Sequence, residues 1–300
     1  MPALLPRVQP PVFSRPPSLA LSVVVALAEP GPALLTLLRA LRDARLPLAC
    51  EVIVVVAGTE GAALAGVRAE FPLVLLYRAP PGTERGKLYD VGVRAAGGGH
   101  LLLLDGSAIP TAAAIAELHR FAESGQFIGA VVPRYLAPDG SDQASSRAFP
   151  TPRAVLRAAL GPVEATPELQ RAFSRMVTTP REVEAAEGGC LLVRRAALQD
   201  VGGLDAGYPD GGEVWDWCQR ARLKGWAVFL HPGVHASLVG PRDPEAGLEV
   251  RGSIRRFLYR FRGLAPAAAA FLLMLPADLR DRRRRRCRAR LARISSPARA

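Results

Sequence analysis

The feature that most limits what this chain can fold into is an alternation. Continuous apolar runs of strand length recur along its first half, and stretches of helical periodicity separate them. LSVVVALA (Leu21–Ala28) is followed by a helical stretch over Ala33–Ala44 with leucines at 34, 35, 37, 38 and 41, then by EVIVVVAG (Glu51–Gly58). A helix over Ala62–Glu70, the run LVLLY (Leu73–Tyr77), a helix over Glu84–Ala96, HLLLLDG (His100–Gly106), a helix over Thr111–Glu123 and FIGAVVPRYL (Phe127–Leu136) continue the series. Strands that are apolar throughout are covered on both faces, and helices between them serve as crossovers of a parallel sheet. The pattern predicts a Rossmann-like α/β unit. In such sheets ligands bind beyond the carboxyl ends of the strands, so the residues just after each run are the first candidates for chemistry.

The second half is less regular. GGCLLVRR (Gly188–Arg195) and WAVFLHPG (Trp226–Gly233) read as strands, VGGLDAGYPDGG (Val201–Gly212) as a glycine-rich loop, and EVWDWCQRARLKG (Glu213–Gly225) as an amphipathic helix. The expected organisation is a proline-rich leader over 1–18 and an α/β domain over 19–245, followed by a basic amphipathic extension over 246–300. Within the domain, a nucleotide half covers about 19–135 and an acceptor half about 136–245. The first run, closing on Ala26-Leu27-Ala28, also fits a secretory signal. The β-branched Val23, Val24 and Val25, and a leader with prolines at 2, 6, 10, 11, 16 and 17, favour a buried strand.

Charge is distributed very unevenly. The formal net charge is +12, yet Met1 to Val250 carries 24 basic and 25 acidic residues. Arg251 to Leu275 has five arginines and no acid, and Pro276 to Ala300 has ten arginines against two aspartates. A basic nucleic-acid-binding body is therefore disfavoured. IRRFLYRFRG (Ile254–Gly263) interleaves aromatic residues with arginines ahead of an apolar stretch and RRRRRCRAR, which fits an anionic membrane surface. The apolar stretch Leu264–Leu275 is twelve residues, where a membrane span needs about twenty. Cys50, Cys190, Cys218 and Cys287 form no C-x-x-C pair, so they read as isolated thiols in a reducing compartment. The expected location is cytoplasmic, peripheral at the inner face of the cytoplasmic membrane.

In their order and spacing, five strings resemble family 2 glycosyltransferases of the GT-A fold, in the subgroup of rhamnosyltransferase-like enzymes. They are EVIVVVAGTEG, HLLLLDGSAIP, AVVPRYLAPDGS, GGCLLVRRAALQDVGGLDAGY and GEVWDWCQRARLKGWAVFLHPGVHAS, within Leu21–Gly240. The resemblance implies a GT-A α/β sheet flanked by helices, and inverting transfer of a sugar from a nucleotide diphosphate to a hydroxyl of a polysaccharide, glycolipid or glycoconjugate. Such a reaction needs a nucleotide pocket, positive charge for the departing diphosphate and a carboxylate for the acceptor proton.

Each need maps onto positions that resemble the family's motifs. Asp105-Gly106-Ser107 stands where the family has Asp-x-Asp, leaving one carboxylate; with His235 it gives thin support for Mg²⁺ or Mn²⁺, which prefer charged oxygen donors. Val56 stands where the family places a base- or ribose-binding aspartate, and Gly58 and Glu60 follow it. Lys87 and Asp90 lie in the segment resembling the family's donor-side helix. Glu213-Val214-Trp215-Asp216 resembles the Glu-Asp-x-Asp motif with valine at the usual base, which leaves Glu213 or Asp216, and Trp215 and Trp217 could wall an acceptor pocket. The implied partners are a nucleotide-sugar donor and a glycan or lipid-linked acceptor. Departures at Val56, Ser107 and Val214 leave two alternatives, a catalytically inactive scaffold or partner subunit, and a membrane- or nucleic-acid-binding module acting through the arginine-rich tail.

Overall fold

The computed structural model describes residues 19–43, 48–59, 61–153, 155–156, 178–208, 212–239, 247–276 and 279. The leader 1–18, Glu60 and the run Arg282–Arg286 lie outside these.

The first half of the chain holds β1 (Leu21–Leu27), α1 (Pro32–Asp43), β2 (Cys50–Ala57), α2 (Ala62–Glu70), β3 (Leu75–Ala79), α3 (Arg85–Ala95), β4 (His100–Leu104), β5 (Ala108–Pro110), α4 (Ala112–Glu123) and β6 (Ile128–Leu136). The short strands β7 (Asp142–Gln143), β8 (Ser146–Arg147), β9 (Arg181–Glu182) and β10 (Ala185–Ala186) follow. Then come β11 (Cys190–Arg194), α5 (Arg195–Val201), α6 (Gly212–Leu223), β12 (Ala227–Leu238) and α7 (Gly247–Arg262). Residues 264–276 form a further helix, α8.

The main sheet runs β3-β2-β1-β4-β11-β6-β12-β5. Its β3-β2-β1-β4 part is parallel, as the uninterrupted apolar strands require. The sheet then turns mixed, because β11 is antiparallel to both β4 and β6 while β12 is parallel to β6. The order changes direction around β1, and that switch point opens a crevice beyond the carboxyl ends of β1 and β4.

Local chemistry explains these elements. Val23, Val24 and Val25 are fully buried in β1, and Leu34, Leu37, Leu38 and Leu41 turn the apolar stripe of α1 inward. At the start of α4, the Thr111 hydroxyl caps the helix by accepting from Ala114 N at 3.1 Å. Gly92 lets α3 lie directly on β1, since a Cβ there would stand 2.3 Å from Val24 Cγ1. The expectation for β3 was two residues early. Leu73 is 92% exposed, because residues 72–74 form the turn that leaves α2, closed by Val74 N donating to Phe71 O at 3.1 Å.

Cys190 and Cys218 are buried free thiols, and burial pushes Cys218 up to about 12. They behave as small core residues. No described helix is long and apolar enough to cross a membrane.

Candidate functional site

Asp105 is the first residue past β4, at the crevice. Both oxygens of its carboxylate are engaged. Oδ1 accepts from Ser107 N at 2.8 Å and from Ser107 Oγ at 2.6 Å, while Oδ2 lies 3.0 Å from Arg85 Nη1. The turn between them needs Gly106, with φ of +80° and no room for a Cβ beside Leu27. Gly188 and Gly189 bring the segment before β11 against the same loop, where an added Cβ would stand 3.6 Å from Asp105 Oδ2 and 3.1 Å from Ser107 Oγ, respectively.

Arg85 is the first residue of α3, so its guanidinium and the positive end of that helix reach the carboxyl edge of β4 together. One turn later Tyr89 is buried. Burial pushes its hydroxyl well above the usual tyrosine range, Asp105 pushes further, and Arg85 opposes; Glu213 and Tyr135 add smaller upward contributions. Tyr89 thus feels the charge of both Asp105 and Glu213.

Glu213 occupies the first turn of α6, where the helix dipole favours a carboxylate, and it is 1% exposed. Asp216, three residues on, has a different environment. Its Oδ2 is 2.7 Å from Arg220 Nε, its Oδ1 is 3.0 Å from Arg260 Nη1, and Tyr208 Oη donates to Oδ1 at 3.2 Å. Arg220 is itself held by the carbonyls of Val201 and Gly203 at 2.8 Å each. A carboxylate whose two oxygens are engaged by two guanidiniums and a phenol is held in place as a structural anchor.

Trp217 is buried and donates to Gly202 O at 3.0 Å. Trp215 is buried beneath Arg147, whose guanidinium carbon lies 4.2 Å from the ring centroid, and among the described residues its Nε1 has no hydrogen-bond partner. Packing describes both rings better than an open acceptor wall. Lys87 is exposed on α3. Asp90 pairs with Arg94 at 2.9 Å on the same helix, away from Asp105 in its contacts. His235 is exposed on β12 opposite Arg134, just past a register irregularity in that strand.

Gly58, at φ of +122°, ends β2 and lines a cavity of about 380 Å³ across the carboxyl ends of β1 and β2. Glu29, Thr59 and Pro81 also line it. Val55 and Val56 are fully buried in β2, so the polar groups facing the cavity come from the loops.

A divalent ion fits this donor set poorly. Asp105 is the only carboxylate of its loop, one of its oxygens serves Ser107, and the other faces a cation at 3.0 Å. Sequence reasoning missed Arg85, Tyr89, Glu29 and Thr59. Arg85 opens the segment whose Lys87 drew attention, and Glu29 lies one residue past the strand exit Ala26-Leu27-Ala28.

Comparison with known proteins identifies the family and the fold. The family described as glycosyltransferase like family 2 matches residues 16–253. An N-acetylglucosaminyl-diphospho-decaprenol L-rhamnosyltransferase of Mycobacterium tuberculosis is 35% identical over 130 residues, which are 40% of this chain and 41% of that protein. The chain thus matches about two fifths of the length of this curated relative. Among solved structures, GalNAc-T7 with UDP, GalNAc and Mn²⁺ superposes with a TM-score of 0.59 at 16% identity, covering 81% of this chain and 48% of that one. The mannosyltransferase PcManGT from Pyrobaculum calidifontis, in complex with GDP-Man and Mn²⁺, gives 0.52 at 17% identity, covering 92% and 81%. S. aureus TarS 1–349 gives 0.52 at 15% identity, covering 83% and 68%. These likenesses are of fold, and the fold is GT-A.

Proposed function

The chain belongs to the glycosyltransferase-like family 2, and from that premise we propose that it moves a sugar from a nucleotide-diphosphate donor to a hydroxyl acceptor with inversion. The observation that carries this reading is the Arg85–Asp105 pair at the switch point of the sheet.

In this reading the base and ribose enter the cavity beside Gly58, Thr59 and Glu29. The diphosphate lies against the start of α3, where Arg85 and the helix end stabilise the charge that grows as the sugar departs. Asp105 orients the guanidinium. Glu213 takes the acceptor proton as the hydroxyl attacks the anomeric carbon from the face opposite the diphosphate. Positive charge from Arg85 stands in for the second carboxylate and its metal.

The relative in M. tuberculosis carries a name that specifies a diphospho-decaprenol-linked acceptor, which supports a lipid-linked acceptor here. A surface observation points the same way. Tyr259, Leu264, Phe271 and Leu272 are exposed on α7 and α8, beside a strongly basic C-terminal sequence. Peripheral attachment to the anionic inner face of the cytoplasmic membrane follows from this reading.

Calorimetry of the full chain with UDP-, GDP- and dTDP-sugars, with and without Mn²⁺, tests the proposal. Binding that persists in EDTA and is weakened in Arg85→Ala is expected. No binding of any of these donors would favour the non-catalytic scaffold.

A further inference from the structure

The far end of β4 carries a second chemical cluster. His100 opens that strand and Asp105 follows its last residue, so the two stand about 16 Å apart at roughly 3.3 Å per residue. His100 is buried. Over it lies the last turn of α4, where His119 and Glu123, four residues apart, share one helix face. One ligand atom from each of the three side chains lies within 4.8 Å of the other two, and among the described residues this is the one such group of three.

We propose that His100, His119 and Glu123 form a binding site for a divalent transition-metal ion of the zinc class, separate from the sugar-transfer site. Around a tetrahedral ion with arms of about 2.1 Å, ligand atoms stand about 3.4 Å apart. His100 Nδ1 and Glu123 Oε1 already stand at 3.3 Å. The His119 ring meets His100 edge-on with centroids 4.9 Å apart, and it is partly exposed, so a side-chain rotation closes the remaining gap. Two imidazoles and one carboxylate suit zinc, cobalt or nickel, whereas magnesium and calcium favour all-oxygen sets.

Other features of the site limit its strength. Arg194 is a nearby cation, although its guanidinium is turned onto the carbonyls of Ile128 and Gly125, each at 3.0 Å, and of Ala122. His100 Nε2 is buried and lacks an acceptor among the described residues, so the outer shell that usually strengthens a metal-bound histidine is incomplete there. The bound ion would join the start of β4 to the end of α4, and one face of it would remain open to solvent through Glu123.

The test is a titration of the full-length protein with Co²⁺, whose visible absorption reports a low-coordinate nitrogen–oxygen site, followed by competition with Zn²⁺. One equivalent of absorbing Co²⁺, displaced by Zn²⁺, is expected in the wild type and in Asp105→Asn. The band should be lost in His119→Ala and in Glu123→Gln, both on the outer face of α4, where folding is checked by circular dichroism. Absence of the band in the wild type would overturn the proposal. So would a band that survives both variants, one lost in Asp105→Asn, or one with the intense near-ultraviolet charge transfer of thiolate ligands.

Discussion

Arg85 Nη1 lies 3.0 Å from Asp105 Oδ2, across the crevice at the carboxyl edge of β4. Twenty residues separate the two in sequence, and the parallel crossover through α3 brings them together. The pair places a fixed cation next to the loop that otherwise carries a single acid.

Replacing Arg85 with alanine should weaken nucleotide-diphosphate binding roughly 10- to 100-fold, the range of a lost charge-assisted hydrogen bond of about 1.5–3 kcal/mol. Arg85→Lys should restore part of it. Calorimetric titration with the nucleoside diphosphate alone measures both, and wild-type affinity in Arg85→Ala would remove the residue from donor binding.

Glu213→Gln should lower kcat by about 10²- to 10⁴-fold, the usual contribution of a positioned base. Donor affinity should remain near wild type. Steady-state kinetics with a fixed acceptor separates the two, and an unchanged kcat would exclude Glu213 as the base.

Asp216→Asn should act on stability first. Removing the charge leaves Arg220 without its buried counterion, at about 3–5 kcal/mol for a broken buried pair, while Arg260 keeps its pairing with Asp205 at 2.5 Å. Urea unfolding checks this. A variant as stable as the wild type but inactive would instead return Asp216 to the list of bases.

Gly92→Ala should destabilise by about 1–3 kcal/mol or more, since its Cβ would stand 2.3 Å from Val24 Cγ1. Gly61→Ala, with nothing within 4 Å of the added methyl, is the control. Equal melting temperatures for the two variants would contradict the close packing of α3 on β1.

Phe271→Ser combined with Leu272→Ser should reduce co-flotation with anionic vesicles while leaving neutral vesicles unbound in every case. Both side chains are exposed on α8, so the fold should tolerate the change. Undiminished flotation would reject this face as the membrane contact.

Much of the nucleotide half was legible because buried parallel strands are apolar throughout and helices between them keep their own period, as in α2, whose observed bounds match those expected. Strand positions slipped where a turn, rather than hydrophobicity, sets the start. Leu73 looks like strand but serves the turn after α2. In the site, Asp105 was readable because it ends a run of leucines. Arg85 was not, since an arginine at a helix start looks the same whether it meets solvent or a carboxylate twenty residues away. Asp216 and Glu213 were equivalent in sequence, and the contacts separating them come from Arg220 one turn on, Tyr208 in the glycine-rich loop and Arg260 in the basic extension.

Arg260 belongs to α7, in the basic extension, yet it reaches a carboxylate one helical turn from Glu213. Phe257, on the same helix, stacks on Phe149 with ring centroids 5.4 Å apart. Truncating the chain before residue 247 would therefore strip out packing beneath Phe149 and Asp216 along with the basic charge. Loss of activity in such a truncation says nothing about lipid by itself, and only surface point variants can tell attachment from collapse.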